Sequence, residues 1–211
     1  MAEHQKILNY VNFGFTPFSK RQCIGRIILL WILCGIVYLI SKRNLFWIIS
    51  LGMIVLTETA FFLSLILKKS SGKTARFLSD GVFMCTVAVL LVFASYLIST
   101  TNTTDHWLLL IILFSLLLVW MIFVLLLVRR NIKADKYNGE QNNTVSIWPF
   151  VFGAFGILAA RILLQGQSED TALTIVAVLL MLLSCIFSIG IHFLLKAILI
   201  KRYGLDDSPN E

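Results

Sequence analysis

The fold class the sequence predicts is an all-α polytopic membrane protein, with six transmembrane helices and both termini cytoplasmic. Three observations predict it. Six long apolar runs follow one another, each broken only by a short polar connection. Residues are 58% hydrophobic and 14% charged, with a mean hydropathy of +0.88, against about 45–50% and about 25% in soluble domains. The bases are partitioned: fourteen of the 18 Lys and Arg fall in segments that an even number of crossings separates, which is how an orientation signal looks.

The elements follow in order. Residues 1–22 mix aromatics with bases, and Ile7, Tyr10 and Val11 share one helical face, so an interfacial segment against the headgroups is expected. These residues lack the continuous apolar core and small-residue cleavage site of a signal peptide. The first span is about 25–40, and the turn SKRN at 41–44 makes a helical hairpin with the second, about 45–67. At 1.5 Å per residue the second is long enough for a hydrocarbon core of about 30 Å. The third span is about 81–98, after a basic connection at 68–80. The fourth, 107–128, is the most uniformly apolar and is expected to face lipid. The fifth, 147–164, carries Gly153, Gly156 and Ala160 at a spacing that lets helix backbones approach, a packing face. The sixth, 172–200, is long enough to tilt or protrude, and a short tail, 203–211, follows. The whole chain is one six-helix domain.

With the N-terminus inside, inner segments hold Lys6, Lys20, Arg21 and Arg26, four bases each in 68–80 and 129–146, and Lys201 with Arg202. Outer turns hold only Lys42 and Arg43, while Arg161 and Lys196 lie inside spans. The net charge of +7 is thereby a topology signal, and nucleic acid is not an expected partner.

Candidate functional residues are the polar ones at membrane depth. Glu58 stands near the middle of an otherwise apolar span, where insertion scales charge a central acid about 2.5–3.5 kcal/mol. In the sixth span Ser184, Ser188, His192 and Lys196 recur every four residues and form a slowly winding polar stripe. Glu58 and His192 fall at similar depth, so the pair is expected to meet as a ligand site, an ion path or a structural clasp. Lys196 and Arg161, near span ends, are placed to snorkel.

Catalytic signatures are missing from the sequence. It has no G-x-S-x-G, no H-E-x-x-H and no aspartate within a predicted span. Gly72-Lys73-Thr74 fails as a phosphate loop because Leu67 stands where glycine is needed. Cys185 and His192 are about 10.5 Å apart along one helix, too far for a nucleophile–base pair. Cys23, Cys34, Cys85 and Cys185 show no metal-ligand spacing. Neither a cofactor nor a metal is expected.

The expected function is that of a non-enzymatic, multipass protein of a bacterial plasma membrane. It would act in the bilayer by binding another membrane component, as an export-assembly subunit or as an immunity or accessory protein recognising a protein or peptide partner. The alternative is a small transporter or channel subunit using Glu58 with the stripe.

Overall fold

The computed structural model describes residues 2–13, 19–40, 45–67, 72–100, 107–137 and 168–205. They form seven helices and, among the described residues, no strand: α1 (Ala2–Asn12), α2 (Lys20–Ile40), α3 (Leu45–Leu67), α4 (Lys73–Ser99), α5 (Trp107–Lys133), α6 (Glu169–Ser188) and α7 (Ile191–Tyr203). Five helical stretches are long and apolar enough to cross a bilayer: Lys20–Leu39, Ile49–Leu67, Lys73–Ser99, Trp107–Lys133 and Asp170–Tyr203. These correspond to the first four and the sixth expected spans. The expected span at 147–164, with its packing face Gly153, Gly156 and Ala160 and with Arg161, lies outside the described residues.

Helix α4 is the axis, packing on α2, α3, α5, α6 and α7. Two of its faces are sorted by residue size and polarity. Gly81, Met84, Ala88 and Ser95 meet the α6–α7 pair. A Cβ on Gly81 would come within 2.6 Å of the Leu194 side chain, and one on Gly190 would overlap Met84. Side-chain hydroxyls close the seam: Ser184 donates to the Ala88 carbonyl at 2.9 Å, and Ser95 donates to the Ala177 carbonyl at 2.8 Å. Ala88 thus faces Ser184 and Ser95 faces Ala177, so α4 and α6 run antiparallel. The opposite face of α4, with Ser79 and Thr86, meets α2 and α3.

Two helices differ in extent from the expected spans. The helix that carries the third expected span begins at Lys73, eight residues before residue 81, because Ala75 and Phe77 are buried and carry the helix through the basic segment. The sixth span is not one continuous helix. At Ile189 and Gly190 the backbone amides donate three residues back, to Ile186 (3.2 Å) and Phe187 (2.9 Å). This tightened turn sets the backbone of Gly190 directly on Met84, and only a residue without a side chain fits there. Gly204, at φ 64°, then ends α7 in the left-handed region.

The described part of the N-terminal segment docks on the bundle. Its shared face of Ile7, Tyr10 and Val11 is buried, but against protein: α1 packs on α5 and α7. Lys6 Nζ donates to the Lys133 carbonyl at 2.9 Å and Lys73 Nζ to Asn12 Oδ1 at 3.2 Å. After α5 the chain turns at Asp135 (φ 51°), bringing Tyr137 to 4.9 Å from the Tyr10 ring. The start of α4 and the ends of α5 and α7 therefore gather around α1 at one end of the bundle.

Candidate functional site

Glu58 sits on α3 and is buried. Its partner is Thr86 on α4, whose hydroxyl donates to Glu58 Oε1; Glu58 Oε2 is buried with no hydrogen-bond partner among the described residues. Neighbouring hydroxyls are committed elsewhere. Thr57 and Thr59 bond back to Met53 and Val55 at 2.7 Å each, and Thr59 also accepts from Trp31 Nε1 of α2 at 3.2 Å.

The expected meeting of Glu58 with His192 does not occur. The His192 ring nitrogen Nδ1 lies 2.7 Å from the Ile189 carbonyl of the preceding turn. The reason lies in α4. Thr86 is two residues from both Met84 and Ala88, hence about 200° around the helix from each. Glu58 is thereby held on one side of α4, and the α6–α7 pair on the other. Matched depth predicted a common height and said nothing of azimuth.

The four stripe residues do share one side of α6–α7, and each is engaged within the fold. Ser184 reaches Ala88 across the seam, and Ser188 Oγ donates to the Cys185 carbonyl at 2.7 Å. Lys196 does not snorkel. It is 2% exposed, donates to the Phe13 carbonyl, and its Nζ lies 5.0 Å from the Tyr10 ring centroid and 4.8 Å from that of Phe77. Two ring faces and a carbonyl replace water around the ammonium. Beside it, the Tyr10 hydroxyl donates to the His192 carbonyl at 3.0 Å, and burial, with Tyr137 nearby, pushes the Tyr10 phenol above its ordinary range.

A second polar cluster was not singled out by the sequence. Asp80 on α4 accepts from Arg26 of α2 at Oδ1 and from Arg76 of its own helix, with 3.1 Å between Arg76 Nε and Asp80 Oδ2. Arg26 also donates to Ser79, Arg76 donates to Gln22, and Cys23 Sγ lies 3.5 Å from Ser79 Oγ. The Arg26 guanidinium carbon stands 5.7 Å from the Phe83 ring centroid. One acid thus joins two guanidinium groups between α2 and α4. A signal for it existed: Asp80 is the single acid in 68–80, and Arg26 stands one residue inside the first predicted span.

Among the described residues no group of three or more His, Cys, Asp or Glu side chains could hold a metal ion, and the four cysteines are free thiols. Among the described residues, the one buried carboxylate oxygen without a hydrogen-bond partner is Oε2 of Glu58. The chain matches no protein-family model, no curated protein and no solved structure.

Proposed function

We propose that this chain is a six-span protein of a bacterial plasma membrane, with both termini cytoplasmic, that works without catalysis by binding another membrane component. Of the partner classes expected from the sequence, an export-assembly subunit and a membrane-active peptide or protein both remain targets of the test. One observation carries the reading. The side chains suited to a conduction path, Ser184, Ser188, His192 and Lys196, each make a polar contact with a backbone carbonyl, Ser188 and His192 with one in their own preceding turn. A transported ion or solute would have to compete with those contacts.

Two features support the topology. Helices α2 and α4 begin, and α5 and α7 end, at the end of the bundle that carries the basic clusters, as a cytoplasmic face requires. The described chain leaves that face after α5 and resumes with α6 at the other, which supports the reading that a sixth span joins them. The outer side of the α2–α3 hairpin, including Ile32, Ile36, Met53 and Leu63, is exposed and apolar. It is the natural surface for a membrane partner.

A photo-crosslinking residue at Met53 or Leu63 should capture one discrete membrane component in living cells, while the purified protein in proteoliposomes should show no proton or solute flux. The rival transport reading rests on the spare oxygen of Glu58. Flux that Glu58→Gln abolishes, without loss of folding, would establish it instead.

A further inference from the structure

Helices α1, α5 and α7 enclose an open groove of about 880 Å³ at the basic end of the bundle. Its walls are apolar, with Ile122 and Leu126 from α5 facing Leu195 and Leu199 from α7. Its mouth is basic. Lys6, Arg129, Lys133 and Arg202 line it, against a single acid, Glu3. None of these four bases forms a salt bridge among the described residues; Lys6 is held by the Lys133 carbonyl.

From Ile122 to Lys133 the groove climbs eleven residues of α5, about 16 Å, which is about half of a 30 Å hydrocarbon core. Its volume falls in the range of about 300–1,000 Å³ usual for small-molecule sites. The apolar walls, Ile122 to Leu126 and Leu195 to Leu199, cover about 6 Å of that climb and the bases line the rest, so an occupant must be apolar at its deep end and anionic at the headgroup level. We infer that the groove is a binding site for an anionic glycerophospholipid of the cytoplasmic leaflet. Its acyl chains lie along Ile122, Leu126, Leu195 and Leu199, and its phosphate is met by Arg129, Lys133 and Arg202. Guanidinium groups bind phosphate oxygens in a bidentate manner, and basic pockets between spans select anionic headgroups. The inference needs the chain to be a membrane protein, and it holds whether the protein serves as a binding partner or as a transporter.

Native mass spectrometry of the intact protein released from gentle detergent tests it, with phosphatidylglycerol and phosphatidylcholine added at equal amounts. The expected result is preferential retention of phosphatidylglycerol, reduced at least tenfold in Arg129→Ala/Arg202→Ala. The control Lys20→Ala/Arg21→Ala removes two exposed bases of the same face outside the groove and should retain the lipid as the parent does. Equal retention of the two lipids, or equal loss from both double variants, overturns the site. Should Arg129→Ala/Arg202→Ala fold poorly, phosphatidylglycerol titrated against the parent still decides, because saturable one-to-one binding that excess inorganic phosphate fails to displace is required. A high-yield disulfide between Leu126→Cys and Gly156→Cys, together with no lipid adduct, would assign the groove to this chain's own segment and likewise overturn the proposal.

Discussion

Lys196 is the residue whose surroundings differ most from its expected role. A lysine near a span end normally extends toward water, yet here the ammonium is enclosed by Tyr10, Phe77 and the Phe13 carbonyl. Lys196→Met keeps the length of the side chain and removes the charge, so it should cost about 2 kcal/mol. The check is thermal unfolding in one detergent, accompanied by faster tryptic cleavage after Lys6 as α1 loosens. Tyr10 adds a pH dependence. Its phenol is pushed above the ordinary value of 10.0, so the docking of α1 is fully present below about pH 10 and is weakened as pH rises past it. For Glu58, a double-mutant cycle of Glu58→Leu with Thr86→Val should yield a coupling of about 0.6 kcal/mol or more. The cycle of Glu58→Leu with His192→Leu should be additive within about 0.5 kcal/mol. Finding the reverse would mean that the carboxyl partner has been misidentified. Glu58 shows how far sequence reaches at this scale. An acid among leucines is legible as a buried group needing a partner, whereas the partner depends on which side of α4 it occupies, and periodicity in α3 alone carries no trace of that.

At the scale of elements, the bundle is held by two kinds of contact. The α4 seam with α6 and α7 is a contact of backbones, made by Gly81, Ala88 and Ser95 on one side and Ala177, Ser184 and Gly190 on the other. Gly190→Ala should therefore lower stability by about 1–3 kcal/mol, since the added methyl overlaps Met84. Gly35→Ala in α2, where a Cβ meets nothing within 4 Å among the described residues, should be neutral or stabilising by up to about 1 kcal/mol. Comparing the two melting temperatures in one detergent decides whether the seam limits stability. The α2–α4 contact is of the other kind, an ionic knot. Asp80→Asn leaves Arg26 and Arg76 without their shared acid and should cost about 3 kcal/mol. Arg26→Lys should not behave like the parent, because a point charge cannot replace the planar fork that reaches Ser79 and Asp80 together. The five described stretches long and apolar enough to cross a bilayer were legible because run length and apolarity can be read directly from the sequence. The break at Ile189 and Gly190 was not, because a glycine inside an apolar run is equally compatible with an unbroken helix. The knot was missed for a different reason: charge counting near span ends treats each base as solvated, and Arg26 and Asp80 are in contact with each other.

For the whole molecule, the partition of bases predicts an orientation that reporters can read. Fusions after Lys73 and after Asp135 should report cytoplasmic, and fusions after Thr103 and after Gln167 should report external. An external signal from the Lys73 fusion would invert the map, and with it the leaflet assigned to the lipid groove. The gathering of α1, the start of α4 and the ends of α5 and α7 makes the basic end the more elaborated pole of the protein. The Lys196 cage, the Asp80 knot and the mouth of the groove all lie at or near that end.

The hydrogen bond from Tyr10 to the His192 carbonyl joins residues 182 positions apart. A ribosome therefore completes α1 long before it has made α7, the surface on which α1 rests. Throughout that interval the exposed Ile7–Tyr10–Val11 face must be sheltered by headgroups or by a chaperone. Nascent chains stalled at Ser188 should accordingly leave α1 open to protease, and full-length chains released from the ribosome should protect it. Closure of the basic pole is then a late act of biogenesis, timed by the emergence of the seventh helix.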